Sequence, residues 1–251
     1  MNKLTQAQQI ELFHLAFLEV LAKRLDPSRY ILKGGANLRY FFGSVRYSEG
    51  VDIDLTRPLP GDLEGKVSDI LASRPLALLL RLGGLEVAGF STPKQTPTTR
   101  RWKVALVAPG GREVRTKIEF SGREREDDDY RLDRLPEEVV APYALPVPSV
   151  QHYGAEAASE QKVMALVGRS ETQARDVFDL DLLLRRRALQ QGQIDPGILT
   201  RAAERVFELP FAAYRDQVLA FLDPASAELY EGAASWERMQ MFVAGALEDA
   251  G

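Results

Sequence analysis

The sequence contains no cysteine and only two histidines, His14 and His152, among its 251 residues. The absence of cysteine excludes a disulfide framework and a cysteine-ligated zinc site. Two histidines are too few to favour a metal centre built from imidazole rings. Candidate metal ligands in this chain are therefore carboxylates.

The chain also lacks a hydrophobic run long enough to span a membrane, and it lacks an excess of positive charge. The net charge of −4 argues against a protein that coats nucleic acid through a broadly basic face, but it leaves room for a local basic groove. The first 25 residues are amphipathic and carry acids, unlike a signal or transit peptide. We therefore expect a cytoplasmic protein with no membrane partner.

The most informative stretch is residues 31–56, with the sequence ILKGGANLRYFFGSVRYSEGVDIDLT. Gly34 and Gly35 lie between a short apolar run and a segment, residues 36–42, that is expected to be helical. Glycine lets the backbone approach a ligand closely, and the free N–H groups at a helix start bind anions. The glycine pair is therefore a candidate phosphate-binding turn.

Two acids follow this turn at a spacing of two. Residues 51–55 alternate apolar and acidic side chains, which predicts a strand with Asp52 and Asp54 on one face. Two carboxylates on one face repel each other unless a cation lies between them, and Mg²⁺ prefers carboxylates, water and phosphate oxygens. A phosphate cradle beside paired acids indicates metal-assisted phosphoryl or nucleotidyl transfer. The alternative is a solvated edge strand with two surface acids.

A hairpin farther along the chain offers a third acid. Residues 100–107 and 113–120 alternate in polarity and are joined by Pro-Gly-Gly, as expected for two antiparallel strands. Glu119 joins the paired acids if the second hairpin strand neighbours theirs. The alternative is a solvent-facing acid beside Arg115 and Lys117.

The flanking segments are expected to supply packing elements. Apolar residues at helical spacing over residues 5–25 predict a helix capped by Thr5, with His14 at the boundary of its apolar stripe. Residues 62–82 predict a helix that its internal proline interrupts. Residues 92–99, rich in Pro and Thr, predict a loop.

The second half of the chain is expected to be helical. A mixed charged run over residues 122–138 predicts a solvated loop, and the proline-rich segment 142–148 predicts a domain boundary. We therefore expect a core domain over residues 1–145 and a helical domain over residues 146–251. The expected helices of the second domain cover residues 155–167, 174–189, 196–208, 211–222 and 225–248.

A second group of charged residues lies in these helices. Asp176 and Asp179 are three residues apart and share a helix face, while Lys162 and Arg169 lie in the preceding helical segment. A lysine suits a phosphate as a point charge, and an arginine suits phosphate or carboxylate through its planar fork. The alternative is a set of salt bridges between two helices.

The pattern resembles the AbiEii/AbiGii family of toxins from type IV toxin–antitoxin systems, within the DNA polymerase β-like nucleotidyltransferase superfamily. The resemblance is carried by Lys33-Gly34-Gly35, Leu38, Arg46-x-Ser48, Asp52-Ile53-Asp54-Leu55, and later by Lys162 and Arg175-Asp176-x-x-Asp179-Leu180. One departure is Ala36, where many relatives carry a hydroxyl residue. The resemblance implies an α+β fold: a polymerase β-like core with a mixed sheet, followed by a C-terminal helical bundle.

The resemblance also implies roles for individual residues. The implied catalytic residues are Asp52, Asp54, Lys162 and Asp176. The implied nucleotide-binding residues are Lys33, Gly34, Gly35, Arg46, Ser48, Lys162 and Asp179. The implied metal ligands are Asp52, Asp54 and Glu119.

The expected activity is metal-dependent transfer of a nucleoside monophosphate from an NTP to RNA, with the 3′ end of tRNA as the expected acceptor. The expected cofactor is Mg²⁺ or Mn²⁺, and the expected partner is an antitoxin encoded nearby. Two alternatives remain open: transfer to a protein or small molecule, and a catalytically silent nucleotide-binding module that acts through protein contacts.

Overall fold

The computed structural model describes residues 4–56, 62–96, 98–122 and 129–251. The chain divides into two compact units. Unit 1 comprises Met1–Gly43 and Tyr47–Tyr153, and unit 2 comprises Ser44–Arg46 and Gly154–Gly251. The domain boundary expected at residues 145 and 146 stays a prediction.

Unit 1 is built on a mixed sheet. Its strands in the described residues are β1 (Tyr30–Lys33), β2 (Gly50–Leu55), β3 (Glu86–Thr96), β4 (Thr99–Val107), β5 (Glu113–Ser121), β6 (Tyr130–Arg134) and β7 (Ser149–Tyr153). Their order in the sheet is β3-β4-β5-β2-β1-β7-β6. The strand β2 is antiparallel to β1 and parallel to β5, and β7 is parallel to β1. The centre of the sheet is therefore assembled from strands that are far apart in the sequence.

Helices cover this sheet. They are α1 (Gln6–Arg24), α2 (Gly34–Phe41), α3 (Leu63–Leu71), α4 (Arg74–Arg81) and α5 (Glu137–Val140). The Thr5 side chain and the Gln8 side chain cap α1 reciprocally, which confirms the predicted cap. Every residue from Gln9 to Leu21 is buried, so α1 is a core helix enclosed on all its faces.

His14 lies within this buried run, and the expectation that it lies at the boundary of the apolar stripe is wrong. Its ring is fully buried, and Nε2 lies 2.7 Å from the Thr116 hydroxyl. The same hydroxyl donates a hydrogen bond to the Glu49 carbonyl at 2.8 Å. Thr116 therefore accepts from His14 Nε2–H, which leaves Nδ1 of the neutral ring unprotonated and without a hydrogen-bond partner in the described parts of the chain.

The interruption expected at the proline of residues 62–82 is confirmed: the segment forms two helices, α3 and α4, and the proline lies in the first turn of α4, where its missing N–H is not needed. Two other predicted elements of unit 1 differ in the structure. Residues 92–96 are not a loop but belong to β3, and residues 94–96 pair with β4. Part of the loop expected over residues 122–138 is β6, which pairs with β7, and another part begins α5; residues 123–128 lie outside the described residues.

Unit 2 consists of helices. They are α6 (Ala155–Gly168), α7 (Ala174–Arg185), α8 (Pro196–Phe207), α9 (Phe211–Gln217), α10 (Pro224–Tyr230) and α11 (Ala233–Asp249). The helix α11 packs against α7 and α8 around buried apolar residues, including Trp236. The single helix expected over residues 225–248 is divided at Gly232, whose φ of 94° favours glycine.

The predicted α+β class is confirmed by the mixed sheet of unit 1 and the helices of unit 2. Within the described parts of the chain, none of the helices has both the length and the hydropathy required to cross a bilayer.

Candidate functional site

The centre of the unit 1 sheet carries polar side chains on one face. Asp52 and Asp54 lie on β2 and point to the same face, as the alternation predicts. The register places Lys33 of β1 opposite Asp52 on one side and Glu119 of β5 opposite Asp52 on the other. Three neighbouring strands therefore bring one lysine and three acids together; we call these four residues the acid face.

Within the acid face, Asp54 is buried and already has partners. The Lys33 ammonium forms an ion pair with Asp54 Oδ1 and lies 3.3 Å from the Ser121 hydroxyl. The Tyr153 hydroxyl donates a hydrogen bond to Asp54 Oδ2 at 3.0 Å. A cation and a hydroxyl donor therefore contact the two oxygens of this carboxylate.

Asp52 differs from Asp54, because none of the described residues forms an ion pair or hydrogen bond with its half-buried carboxylate. Its neighbour is the glycine turn. Gly34 begins α2 with a φ of +68°, and a Cβ atom placed there would lie 3.1 Å from Asp52 Oδ2. Gly35 follows as the second residue of α2. The turn is therefore close to Asp52 because its first residue has no side chain.

Glu119 is the third acid of the acid face. Arg101 on β4 contacts the Glu119 carboxylate through Nε at 2.6 Å and through Nη2 at 2.5 Å. In the described parts of the chain, no group of three or more acidic or histidine side chains is arranged to hold a metal ion. The assignment of Glu119 as a metal ligand stays a prediction.

The two residues that precede β2 in the resemblance have separate positions. The Ser48 hydroxyl donates to the Gly50 carbonyl at 2.8 Å, so it stabilises the entry to β2. Arg46 belongs to unit 2, where its guanidinium lies 3.0 Å from both oxygens of Asp179. The nucleotide-binding roles of both residues stay predictions.

Five charged residues of unit 2 form one cluster, in which every side chain except that of Arg169 is buried; we call Arg46, Lys162, Arg169, Asp176 and Asp179 the ionic cluster. Lys162 on α6 contacts Asp176 at 2.9 Å and Asp179 at 2.6 Å, both on α7. Arg169, the residue that follows α6, contacts Asp176 at 3.0 Å. The salt bridges offered as the alternative from sequence are therefore present, and catalytic roles for Lys162 and Asp176 stay predictions.

Burial and charge act in opposite directions on the ionic cluster. Burial alone would lower the pKa of Lys162, but the charges of Asp176 and Asp179 outweigh it, so the pKa is raised. Burial alone would raise the pKa of Asp179, but Arg46 and Lys162 outweigh it, so the pKa is lowered. Both groups are therefore charged at neutral pH. The stability that Asp179 contributes is present above its ordinary pKa of 3.8 and is lost as the pH falls through the lower folded value.

The structure divides the predicted site residues between the units. Unit 1 holds Lys33, Gly34, Gly35, Ser48, Asp52, Asp54 and Glu119, and unit 2 holds Arg46, Lys162, Asp176 and Asp179. Sequence reasoning missed three contacts of the acid face, from Arg101, Ser121 and Tyr153. None of these residues belongs to a local motif, because each reaches the acid face through strand pairing. The alternating polarity of the hairpin is the one sequence signal that indicates Arg101.

Several solved structures share this fold. A crystal structure from H. pylori, of a protein assigned to the nucleotidyltransferases, superposes with a TM-score of 0.61 at 19% sequence identity, covering 99% of both chains. JHP933 from Helicobacter pylori gives 0.60 at 19% identity, covering 98% of this chain and 95% of that one. MenT4, the nucleotidyltransferase toxin Rv2826c from Mycobacterium tuberculosis H37Rv, gives 0.56 at 18% identity, covering 99% and 86%. These likenesses show the fold.

The family assignment comes from the sequence. No curated protein matches the chain. The profile of the family described as nucleotidyl transferase AbiEii toxin, type IV TA system, matches residues 16–250. Because this match spans nearly the whole sequence, the chain is a nucleotidyltransferase that belongs to the AbiEii family of type IV toxin–antitoxin systems.

Proposed function

We propose that this enzyme transfers a nucleoside monophosphate from an NTP to an RNA acceptor, with the 3′ end of tRNA as the expected target. The observation that carries the proposal is the position of Gly34: a helix start with a positive φ, too close to Asp52 Oδ2 to accept a side chain comfortably. This arrangement brings free backbone N–H groups next to a carboxylate that has no partner among the described residues. The N–H groups can bind a triphosphate, and the carboxylate can bind the metal ion that accompanies it.

The glycine turn and Lys33 would bind the triphosphate. The first N–H groups of α2 have no partners within the helix, and the positive end of the helix dipole favours an anion there. Lys33 precedes the helix, and its ammonium is paired with Asp54. We infer that an incoming phosphate competes with Asp54 for this ammonium, which would free the carboxylate for a metal ion.

The donor set of the acid face fits a hard divalent cation. Asp52 and Asp54 supply carboxylate oxygens from one face of β2, and the Lys33 ammonium beside Asp54 indicates that positive charge is favoured there. Asp52 and Asp54 would hold Mg²⁺ or Mn²⁺, and Glu119 would join them if it leaves Arg101. When bound, the ion would neutralise charge on the phosphates and on the leaving pyrophosphate.

The ionic cluster of unit 2 would act by holding charges in place. Asp176 and Asp179 fix the Lys162 ammonium, and Arg46 fixes Asp179. The contact between Lys162 and a triphosphate that the resemblance implies stays a prediction. We infer that Asp176 is an organising acid of unit 2, because its carboxylate is engaged by two cations.

The test is incubation of purified protein with each of the four α-³²P-labelled NTPs and total tRNA, in Mg²⁺, in Mn²⁺ and in EDTA. We expect label in tRNA that requires a divalent metal and is lost in Asp52→Asn and Asp54→Asn. The matched control is Glu113→Gln, which neutralises an exposed acid at the start of β5. Mapping the label by 3′-end digestion tests the expected acceptor site.

The same experiment separates the alternatives. Label in protein or in a small molecule, with none in RNA, rejects the RNA acceptor but keeps nucleotidyl transfer. No label at all, together with growth inhibition that Asp52→Asn leaves unchanged, rejects catalysis in favour of a binding module. Co-expression with the adjacent reading frame tests the proposed antitoxin, because a cognate antitoxin would relieve growth inhibition by the enzyme.

A further inference from the structure

Tyr153, the last residue of β7, contacts both halves of the candidate site in unit 1. Its hydroxyl donates to Asp54 Oδ2 at 3.0 Å, and its backbone carbonyl accepts from the Asn37 side chain at 3.0 Å. Asn37 lies in α2, the helix that the glycine turn begins. We propose that Tyr153 is a positioning residue that holds the Asp54 carboxylate and the helix of the glycine turn in fixed relation to each other.

The surroundings of Tyr153 anchor α2 at two points. Asn37 is fully buried, and its Oδ1 lies 3.1 Å from His152 Nδ1, which is also 3.0 Å from the Tyr153 carbonyl. One turn later, the Phe41 ring stacks on the His152 ring with a centroid distance of 3.6 Å. Consecutive residues of β7 therefore bind the middle and the end of α2, so the start of this short helix is not free to shift.

The hydroxyl of Tyr153 matters most when Lys33 leaves Asp54, and in this respect the inference rests on the proposed function. In the structure, Lys33 contacts Oδ1 of Asp54 and Tyr153 contacts Oδ2. If a triphosphate draws Lys33 away, the tyrosine hydroxyl still fixes one oxygen and leaves the other for a metal ion. Groups that orient metal-binding carboxylates in this way typically change metal affinity or activity about 10- to 100-fold when they are removed.

The test is Tyr153→Phe, which keeps the ring and removes only the donor. The matched control is Tyr30→Phe on β1, because the Tyr30 hydroxyl is also buried but has no hydrogen-bond partner among the residues that the structure describes. Binding of Mn²⁺ alone is measured by electron paramagnetic resonance, and kcat and KM for the NTP are measured by label transfer. Circular dichroism gives the folded fraction of each variant.

We expect Tyr153→Phe to bind Mn²⁺ about tenfold more weakly and to lower kcat about tenfold, with KM for the NTP within about twofold of the wild type. Tyr30→Phe should match the wild type in all three quantities. Wild-type Mn²⁺ affinity and kcat per folded molecule in Tyr153→Phe would overturn the inference. A loss of activity explained entirely by a smaller folded fraction would overturn it as well.

Failure of the proposed function has a different signature. If Asp54→Asn binds Mn²⁺ and transfers label like the wild type, Asp54 is not an acid of the site, and both the assignment and the role of Tyr153 fail. If Asp54→Asn is inactive while Tyr153→Phe is unaffected, the proposed function stands and only the positioning role is rejected.

Discussion

The two units of this protein use the same residue types in opposite ways. In the acid face of unit 1, Asp52 and Asp54 are two residues apart on a strand, and one lysine contacts only the second of them. In the ionic cluster of unit 2, Asp176 and Asp179 are three residues apart on a helix, and three cations contact them. Buried charges persist when they are compensated, and a carboxylate with no partner has its oxygens available to a ligand. From this difference we infer that the incompletely compensated acids of unit 1 belong to the reactive site and that the fully paired charges of unit 2 have an organising role.

The largest expected effect concerns Asp52 of the acid face, whose carboxylate pairs with no described residue. Asp52→Asn should lower nucleotide transfer by about a thousandfold or more, because stabilisation of phosphate charge by a metal ion is worth several kcal/mol. The free energy of unfolding should change by no more than about 0.5 kcal/mol, since no described residue pairs with this carboxylate. Label transfer and urea unfolding measure the two quantities. A large loss of stability with little loss of transfer would mean that Asp52 is structural.

A substitution in the ionic cluster of unit 2, by contrast, should have a large effect on stability. Asp179→Ala leaves Arg46 and Lys162 buried without this acid, and it should lower the free energy of unfolding by about 3–5 kcal/mol. Urea unfolding followed by circular dichroism measures the change. The control is Asp216→Ala, which removes an exposed acid from unit 2 and should change the free energy by less than about 1 kcal/mol. Equal effects of the two substitutions would show that the ionic cluster contributes little.

The sequence predicts the features of the two units that depend on neighbouring residues along the chain. The alternation around Asp52 and Asp54 fixes their common face, and the spacing of Asp176 and Asp179 fixes theirs, because strand and helix periods are set by the backbone. Arg101 and Tyr153 were missed because their contacts depend on which strands become neighbours. The parallel pairing of β1 with β7 joins residues more than a hundred positions apart, and no local pattern encodes it.

The same limit applies to His14, because its contact with Thr116 joins residues 102 positions apart in the sequence. Burial lowers the pKa of His14 from 6.5 to about 3, so the folded protein keeps the ring neutral. The unfolded chain binds a proton below about pH 6.5, and stability is therefore lost as the pH falls from there towards the folded pKa. At pH 5 the expected loss is about 2 kcal/mol relative to pH 7.5.

His14→Gln sharpens this expectation, because the glutamine amide can still donate to Thr116 but does not titrate. The free energy of unfolding of each protein is measured with urea at pH 7.5 and pH 5. Between these two pH values the wild type should lose about 2 kcal/mol more than the variant, so the two free energies should converge as the pH falls. Parallel pH dependences would show that the His14 ring is not buried in its neutral form.

The smallest expected effect concerns Gly34, whose missing side chain leaves room for the Asp52 carboxylate. Gly34→Ala forces a side chain into a positive φ and should lower the free energy of unfolding by about 1–2 kcal/mol. Its control, Gly65→Ala in α3, has open space around the added Cβ and should raise that free energy by about 0.5–1 kcal/mol.

A double substitution separates the two causes of this loss. The Cβ at position 34 would lie 3.1 Å from Asp52 Oδ2, so part of the loss reflects crowding of that carboxylate rather than backbone strain. In an Asp52→Ala background the crowding disappears and the strain remains, so Gly34→Ala should be less destabilising there by about 0.5 kcal/mol or more, measured by urea unfolding. Strictly additive losses would mean that the glycine serves only the turn. A positive coupling would mean that the absence of a side chain at position 34 is what keeps the Asp52 carboxylate in its place.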